Sequence, residues 1–235
     1  MDLATHYAAM WARALPQLQA NALRLDAPLD DPQDARRGLT LIARPDAALQ
    51  AAVQELLAEL RALEPEQYYY PLTDLHVTVL TPLSAVAGFR LEHVDAAAYS
   101  RVIATALARV PAFSIDFRGL TLSAEAVLLQ GFPQGTALSE LRATLRAALM
   151  ASGLPQTVDQ RYVLQTAHTT VMRFRRPLRE PGAFRQALER WRAQPFGAVP
   201  VYTLELVYND WCHRRASVQP LAEFSLPGPQ ILRNR

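Results

Sequence analysis

Two short stretches, His76-Val77-Thr78-Val79 and His168-Thr169-Thr170-Val171, hold the side chains best suited to proton transfer. Histidine takes up and releases protons near neutral pH because its unperturbed pKa is about 6.5. On an extended strand alternate side chains share a face. His76 therefore falls with Thr78 and His168 with Thr170, each imidazole about 7 Å along the backbone from its hydroxyl. Leu75, Val77 and Val79 face the other way, as do Ala167, Thr169 and Val171. A single His two residues before a Thr is commonplace and usually structural. Two copies at matching places in a repeat are different, because halves facing each other across a pseudo-two-fold axis bring both imidazoles to one point. That arrangement suits attack at phosphorus, where one group removes a proton from the nucleophile and another delivers one to the leaving oxygen. Each transfer contributes on the order of 10²–10⁴-fold. The hydroxyls of Thr78 and Thr170 would donate to the non-bridging oxygens. Arg173 would add charge for a phosphate, although its odd spacing from His168 puts it on the opposite face unless the strand bends.

The elements that must position these residues recur in order. Residues 38–45 read as a strand closed by Pro45; Leu49, Val53, Leu56, Leu57, Leu60 and Leu63 then keep helical spacing before the first motif. Residues 126–133 read as a second Pro-closed strand. Leu138, Leu141, Leu145 and Leu149 form the next stripe, which Gly153 and Pro155 stop, before the strand expected over 164–172. Pro45 precedes His76 by 31 residues and Pro133 precedes His168 by 35. Beyond each motif a helix (99–109; 181–192) leads to a strand (113–122; 201–208). The expected fold class is α+β: two lobes from duplicated βαβ-type units of about 38–122 and 123–224, with facing sheets, helices outside and a central cleft between. Residues 1–37 form a helical extension, with Tyr7, Met10, Trp11, Leu15 and Leu18 on one stripe, ahead of a bilobal domain over 38–235.

Composition excludes several classes. All 24 basic residues are Arg, so Schiff-base, PLP and P-loop lysines are ruled out. A single Cys212 forms no intramolecular disulfide, which fits a cytoplasmic location, and beside Trp211 it reads as packing. No run of about 18 apolar residues predicts a membrane span, and the first residues lack a secretory pattern. Residues 1–160 carry a net charge of −5 and residues 161–235 a net of +7, so the C-terminal part is the one to attract a phosphate-bearing ligand. No metal is expected, since neither motif His has a carboxylate in register and no HExxH or CxxC occurs; no cofactor is expected either. Tyr68 and Tyr70 of the Tyr68-Tyr69-Tyr70 run could stack a base at the groove mouth, and Tyr162 and Phe174 carry the same choice between stacking and packing. His6, His93 and His213 lie outside the motif and read as structural or surface residues; Trp11, Trp191 and Trp211 read as core or lobe-interface anchors.

The paired His-x-Thr stretches, their 92-residue separation, the repeated element order and Arg173 after the second motif resemble the 2H phosphoesterase superfamily, which includes 2′-5′ RNA ligase and cyclic phosphodiesterase proteins. The resemblance covers roughly residues 38–224. It implies a bilobal fold and metal-independent hydrolysis of a 2′,3′-cyclic phosphate or a 2′-5′-linked (oligo)nucleotide, with a nucleotide or short RNA as the partner. By position, His76 and His168 would be the acid–base pair, with Thr78 and Thr170 as phosphate binders. Strand joining, or nucleotide binding without turnover, would use the same groove. The first motif lacks an Arg at the place of Arg173, and residues 1–37 lie outside the family pattern.

Overall fold

The computed structural model describes residues 2–160 and 162–228. In chain order its elements are α1 (Leu3–Gln19), β1 (Arg37–Ala43), α2 (Ala47–Leu63), β2 (Tyr68–Tyr69), β3 (Val77–Val86), α3 (Ala96–Leu107) and β4 (Phe113–Leu122). These are followed by β5 (Ala126–Pro133), α4 (Ala137–Ala151), β6 (Thr169–Arg173), α5 (Pro181–Trp191), β7 (Pro195–Val201), β8 (Thr203–Asp210) and β9 (Gln219–Ser225). The first three helices each start on an Asp whose carboxylate accepts a hydrogen bond from a first-turn N–H: Asp2 from Thr5, Asp46 from Leu49 and Asp95 from Ala98. Their apolar stripes, such as Leu49, Val53, Leu56 and Leu60 on α2, are buried. None of the described helices is long and apolar enough to cross a membrane.

Two antiparallel sheets result, ordered β3-β1-β8-β9 and β2-β6-β5-β4-β7, so the class is α+β with two sheets and helices, as the repeat predicts. The halves of the chain are not the lobes, however. β4, from the first half, pairs with β5; β8, from the second half, pairs with β1. The first half thus gives β4, and the second half β8 and β9, to the other's sheet. The expectation of one contiguous half per lobe, 38–122 and 123–224, is corrected on this point, and the exchange leaves neither half able to complete a sheet alone. The two-residue β2 likewise crosses over to pair with β6. Two further boundaries differ from expectation. The strand expected over 164–172 begins only at Thr169, and β7 was not legible, because Pro195, Gly197 and Pro200 break its pattern.

The N-terminal extension packs onto the second sheet. α1 lies against β4 and α5, and the phenol of Tyr7 donates to the carbonyl of Gly131 while accepting from the N–H of Ala167. Gly131 has no substitute here, since a Cβ would lie 2.1 Å from the Ala167 oxygen. Ala167 immediately precedes His168, so the extension helps fix the second motif.

A buried guanidinium joins the two motif strands. Arg142 on α4 is 3% exposed. It donates to the carbonyls of Thr78 and Val79 in the first motif (3.0 and 2.9 Å) and to those of Gln165 and Thr166 just before the second (3.1 and 2.8 Å). Burial pulls its pKa down to about 10. The planar fork with five N–H donors matches this spread of acceptors; an ammonium has three donors on one atom. Arg142→Lys should therefore leave at least one carbonyl unpaired and cost about 1–3 kcal/mol. A lowered urea midpoint with an unchanged denaturant slope would show this, whereas an unchanged midpoint would contradict the bridging role.

Candidate functional site

His76, Thr78, His168, Thr170 and Arg173 all line one groove of about 650 Å³ between the sheets. The alternation expected from sequence is what turns them there. Leu75, Val77 and Val79, and Ala167, Thr169 and Val171, are at most 3% exposed, while the intervening His and Thr are only partly buried. Both histidines stand one residue before their assigned strands, yet the alternation runs through them unbroken.

Arg173 reaches the groove through a β-bulge. Thr170 pairs with Leu128 and Met172 with Val127, so Val171 is an extra residue on β6. Val171 and Met172 are consequently both buried, and the face reverses phase in time for Arg173. The first motif has the same device. Thr78 pairs with Ile42 and Leu80 with Leu41; Val79 and Leu80 are both buried, and Thr81 enters the groove at the place equivalent to Arg173. The pseudo-symmetric site is therefore His-Thr-Thr on one side and His-Thr-Arg on the other, with the strong positive charge on one side only.

Each imidazole is held through Nδ1. In His76 it lies 2.8 Å from the carbonyl oxygen of Asp74. A carbonyl only accepts, so Nδ1 carries the proton and Nε2 of the neutral ring is left with its lone pair. In His168, Nδ1 lies 2.7 Å from the hydroxyl of Thr166, which can donate or accept and so leaves both tautomers open. Burial, joined at His168 by the nearby His76, pulls the pKa of each ring down to about 4.

A third histidine joins them. His213 stacks on His76 with ring centroids 4.2 Å apart and planes at 30°. Its backbone is left-handed, with φ of +55°. The Asn209 amide donates to its Nε2 (3.0 Å) and to the Asp210 carbonyl (2.8 Å). With Nε2 thus engaged as an acceptor, protonating His213 would set two donors against each other, and burial also pushes its pKa well down. His213, expected to be a structural or surface residue, takes a structural place: it is the plate against which His76 rests. His6, expected as a structural or surface residue, lines the groove from α1, and Trp211, expected as a core or lobe-interface anchor, lines it as well. His93 is exposed.

Of the two readings, stacking or packing, Tyr68 and Tyr70 take the second. Tyr70 is 2% exposed, and its phenol oxygen accepts from Nε of Arg173 at 3.0 Å. Tyr68 is packed edge-on against Tyr70, with centroids 5.1 Å apart. Tyr70 thus has no open face for a base, and Tyr68 is not among the groove-lining residues. Phe174 is fully buried, while Tyr162 is 67% exposed on the groove wall. Cys212 is 2% exposed, and burial pushes its thiol up to about 11, far from a reactive thiolate. Among the described residues no group of three or more His, Cys, Asp or Glu side chains could hold a metal ion.

Of the residues that sequence reasoning passed over, Arg142 had a signal. It falls four residues after Leu138, inside the apolar stripe of α4. His213 and Thr166 had none, because stacking across a sheet and a contact two residues back leave no periodic mark.

A family model described as the 2′-5′ RNA ligase superfamily matches residues 45–210. No curated protein matches. Among solved structures, TT0787 of Thermus thermophilus aligns with a TM-score of 0.59 and 18% identity over 82% of this chain and 100% of its own. LigT of E. coli, crystallised with 3′-AMP, aligns with a TM-score of 0.52 and 17% identity over 82% of this chain and 99% of its own. A conserved protein of unknown function from Agrobacterium tumefaciens, ATU0111, aligns with a TM-score of 0.52 and 15% identity over 84% of this chain and 94% of its own. At these identities the likeness is one of fold.

The depressed histidines give a signed pH prediction. Their folded pKa of about 4 lies below the unfolded value of about 6.5. Between those values the unfolded chain binds more protons, so stability is complete above pH 6.5 and declines as pH falls towards 4. In ¹⁵N NMR titrations the rings of His76 and His168 should stay neutral to about pH 5, and inorganic phosphate should raise their transitions. Titration near 6.5 in the free protein would contradict the burial argument.

Proposed function

Because the chain belongs to the 2′-5′ RNA ligase superfamily, the 2H phosphoesterases, we propose that it is a phosphodiesterase that hydrolyses a 2′,3′-cyclic phosphate or a 2′-5′-linked nucleotide through His76 and His168 without a metal ion. The observation that carries this reading is the convergence of two His-Thr pairs, from two different sheets, on one groove.

In the reaction, water attacks phosphorus and the bond from phosphorus to one ribose oxygen breaks. One imidazole takes the proton from water, and the other, entering as imidazolium, gives a proton to the departing oxygen; the next proton exchange with solvent resets the pair. One ring must therefore be charged and one neutral. Both are neutral in the free groove at pH 7, and the negative charge of a bound phosphate favours returning one proton to the pair. That proton cannot be assigned to one ring in isolation, because the two titrate as a coupled unit. Donors from Thr78, Thr170 and Arg173 surround the site of developing charge, which is where such groups contribute most. Tyr162 offers the exposed aromatic face to a base. A phosphate-bearing nucleotide also agrees with the crystallisation of LigT with 3′-AMP.

A panel of 2′,3′-cyclic nucleotides and 2′-5′ oligoadenylates in excess EDTA tests the proposal. The unaltered protein should turn over at least one of them, and His76→Ala and His168→Ala should each lower kcat by about 10²–10⁴-fold. Turnover that survives either substitution, or that EDTA abolishes, would overturn two-histidine chemistry. Ligand binding without product from any substrate would point to a non-catalytic groove.

A further inference from the structure

Arg173 does not reach the groove unsupported, and its strongest support comes from outside the matched family region. Nη1 of Arg173 donates to a carboxylate oxygen of Asp26 at 3.1 Å, and the indole N–H of Trp211 donates to the same oxygen at 3.3 Å. Asp26 is only 8% exposed. The second acid, Glu125, stands 4.0 Å from Nη1 and is also ion-paired with Arg24. Nε of Arg173 is taken by Tyr70, and the guanidinium carbon lies 5.7 Å from the centre of the Trp211 ring. Nη2 is the one nitrogen of this guanidinium with no hydrogen-bond partner among the described residues.

Asp26 is itself held on a built strap. Asn21 exchanges two hydrogen bonds with the backbone of Leu178, the N–H of Arg24 donates to Ala124, and the N–H of Asp26 donates to Phe174. The segment from Asn21 to Asp26 is thus stitched along the second sheet, and it precedes the matched region, which begins at residue 45.

We infer that Asp26 is a positioning residue, through which the N-terminal extension completes the phosphate site by clamping Arg173 with its free Nη2 edge available to a phosphate oxygen. A free Arg side chain would lose rotamer freedom each time it bound an anion; one clamped at Nε and Nη1 has already lost it. The clamp also balances the arginine's charge in the empty groove. This inference rests on the reading of the groove as a phosphate site.

Three predictions separate positioning from mere charge balance. Asp26→Ala removes the clamp and should weaken binding of 3′-AMP and of inorganic phosphate by about tenfold, the loss expected for one charge-assisted hydrogen bond. Asp26→Asn keeps an acceptor oxygen in place while removing the opposing charge, and should bind at least as tightly as the unaltered protein. The double variant Asp26→Ala with Arg173→Ala should bind no more weakly than Arg173→Ala alone, because both act through one guanidinium. The test is calorimetric titration of the unaltered protein and these full-length variants with each probe, alongside the Nε–H NMR resonance of Arg173, which needs no ligand. That resonance should be sharp in the unaltered protein and in Asp26→Asn, and broadened by exchange in Asp26→Ala. An unchanged resonance in Asp26→Ala, unchanged affinity there, or additive losses in the double variant would each overturn the inference. If neither probe binds the unaltered protein, the phosphate reading of the groove fails, while the resonance still decides whether Asp26 holds Arg173.

Discussion

Everything at the groove depends on one buried guanidinium. Arg142 takes two carbonyls from the first motif strand and two from the segment leading into the second, so the stretches carrying His76 and His168 are tied to one planar group rather than merely facing each other. Placing a cation at 3% exposure is costly. Four short, well-directed acceptors offset that cost, and the result is a fixed spacing between strands from different sheets. Two sheets meeting only through apolar contacts could slide, and a site for in-line displacement tolerates little sliding.

The strand exchange works towards the same end. Because β4 completes the second sheet and β8 the first, each half of the chain runs through both sheets, and neither half can leave the fold without breaking strand pairs with the other. On this frame the two bulges act as local adjustments. Each inserts one residue after a His-Thr pair and so turns a further side chain into the groove, Thr81 on one side and Arg173 on the other. The symmetry of the backbone is thereby kept while the symmetry of charge is broken. A phosphate lying between two equivalent histidines would then have a preferred orientation.

What could be read from the sequence was what repeats. Alternation in a strand and three-to-four spacing in a helix are properties of neighbouring residues, so His76, Thr78, His168 and Thr170 and their buried faces were legible. Arg173 was legible as a residue but not as a direction, because a bulge depends on how the opposing strand β5 is paired. The composition of the lobes is not legible for a related reason: β4 and β8 look alike as strands whichever sheet receives them. His213, Asp26 and Thr166 act through contacts across sheets or through a loop. Their types are ordinary and their spacing carries no period. Tyr70 shows the converse case, where an aromatic run that looks available is buried and spends its hydroxyl on Arg173.

If the two histidines act on one phosphorus atom, a crystal structure of the full-length protein with 3′-AMP bound will show it. The phosphate should lie between the two imidazoles, its oxygens within hydrogen-bond distance of Nε2 of both His76 and His168 and of the hydroxyls of Thr78 and Thr170. A phosphate bound to only one of the histidines, or seated outside the groove, would contradict shared action on one phosphorus.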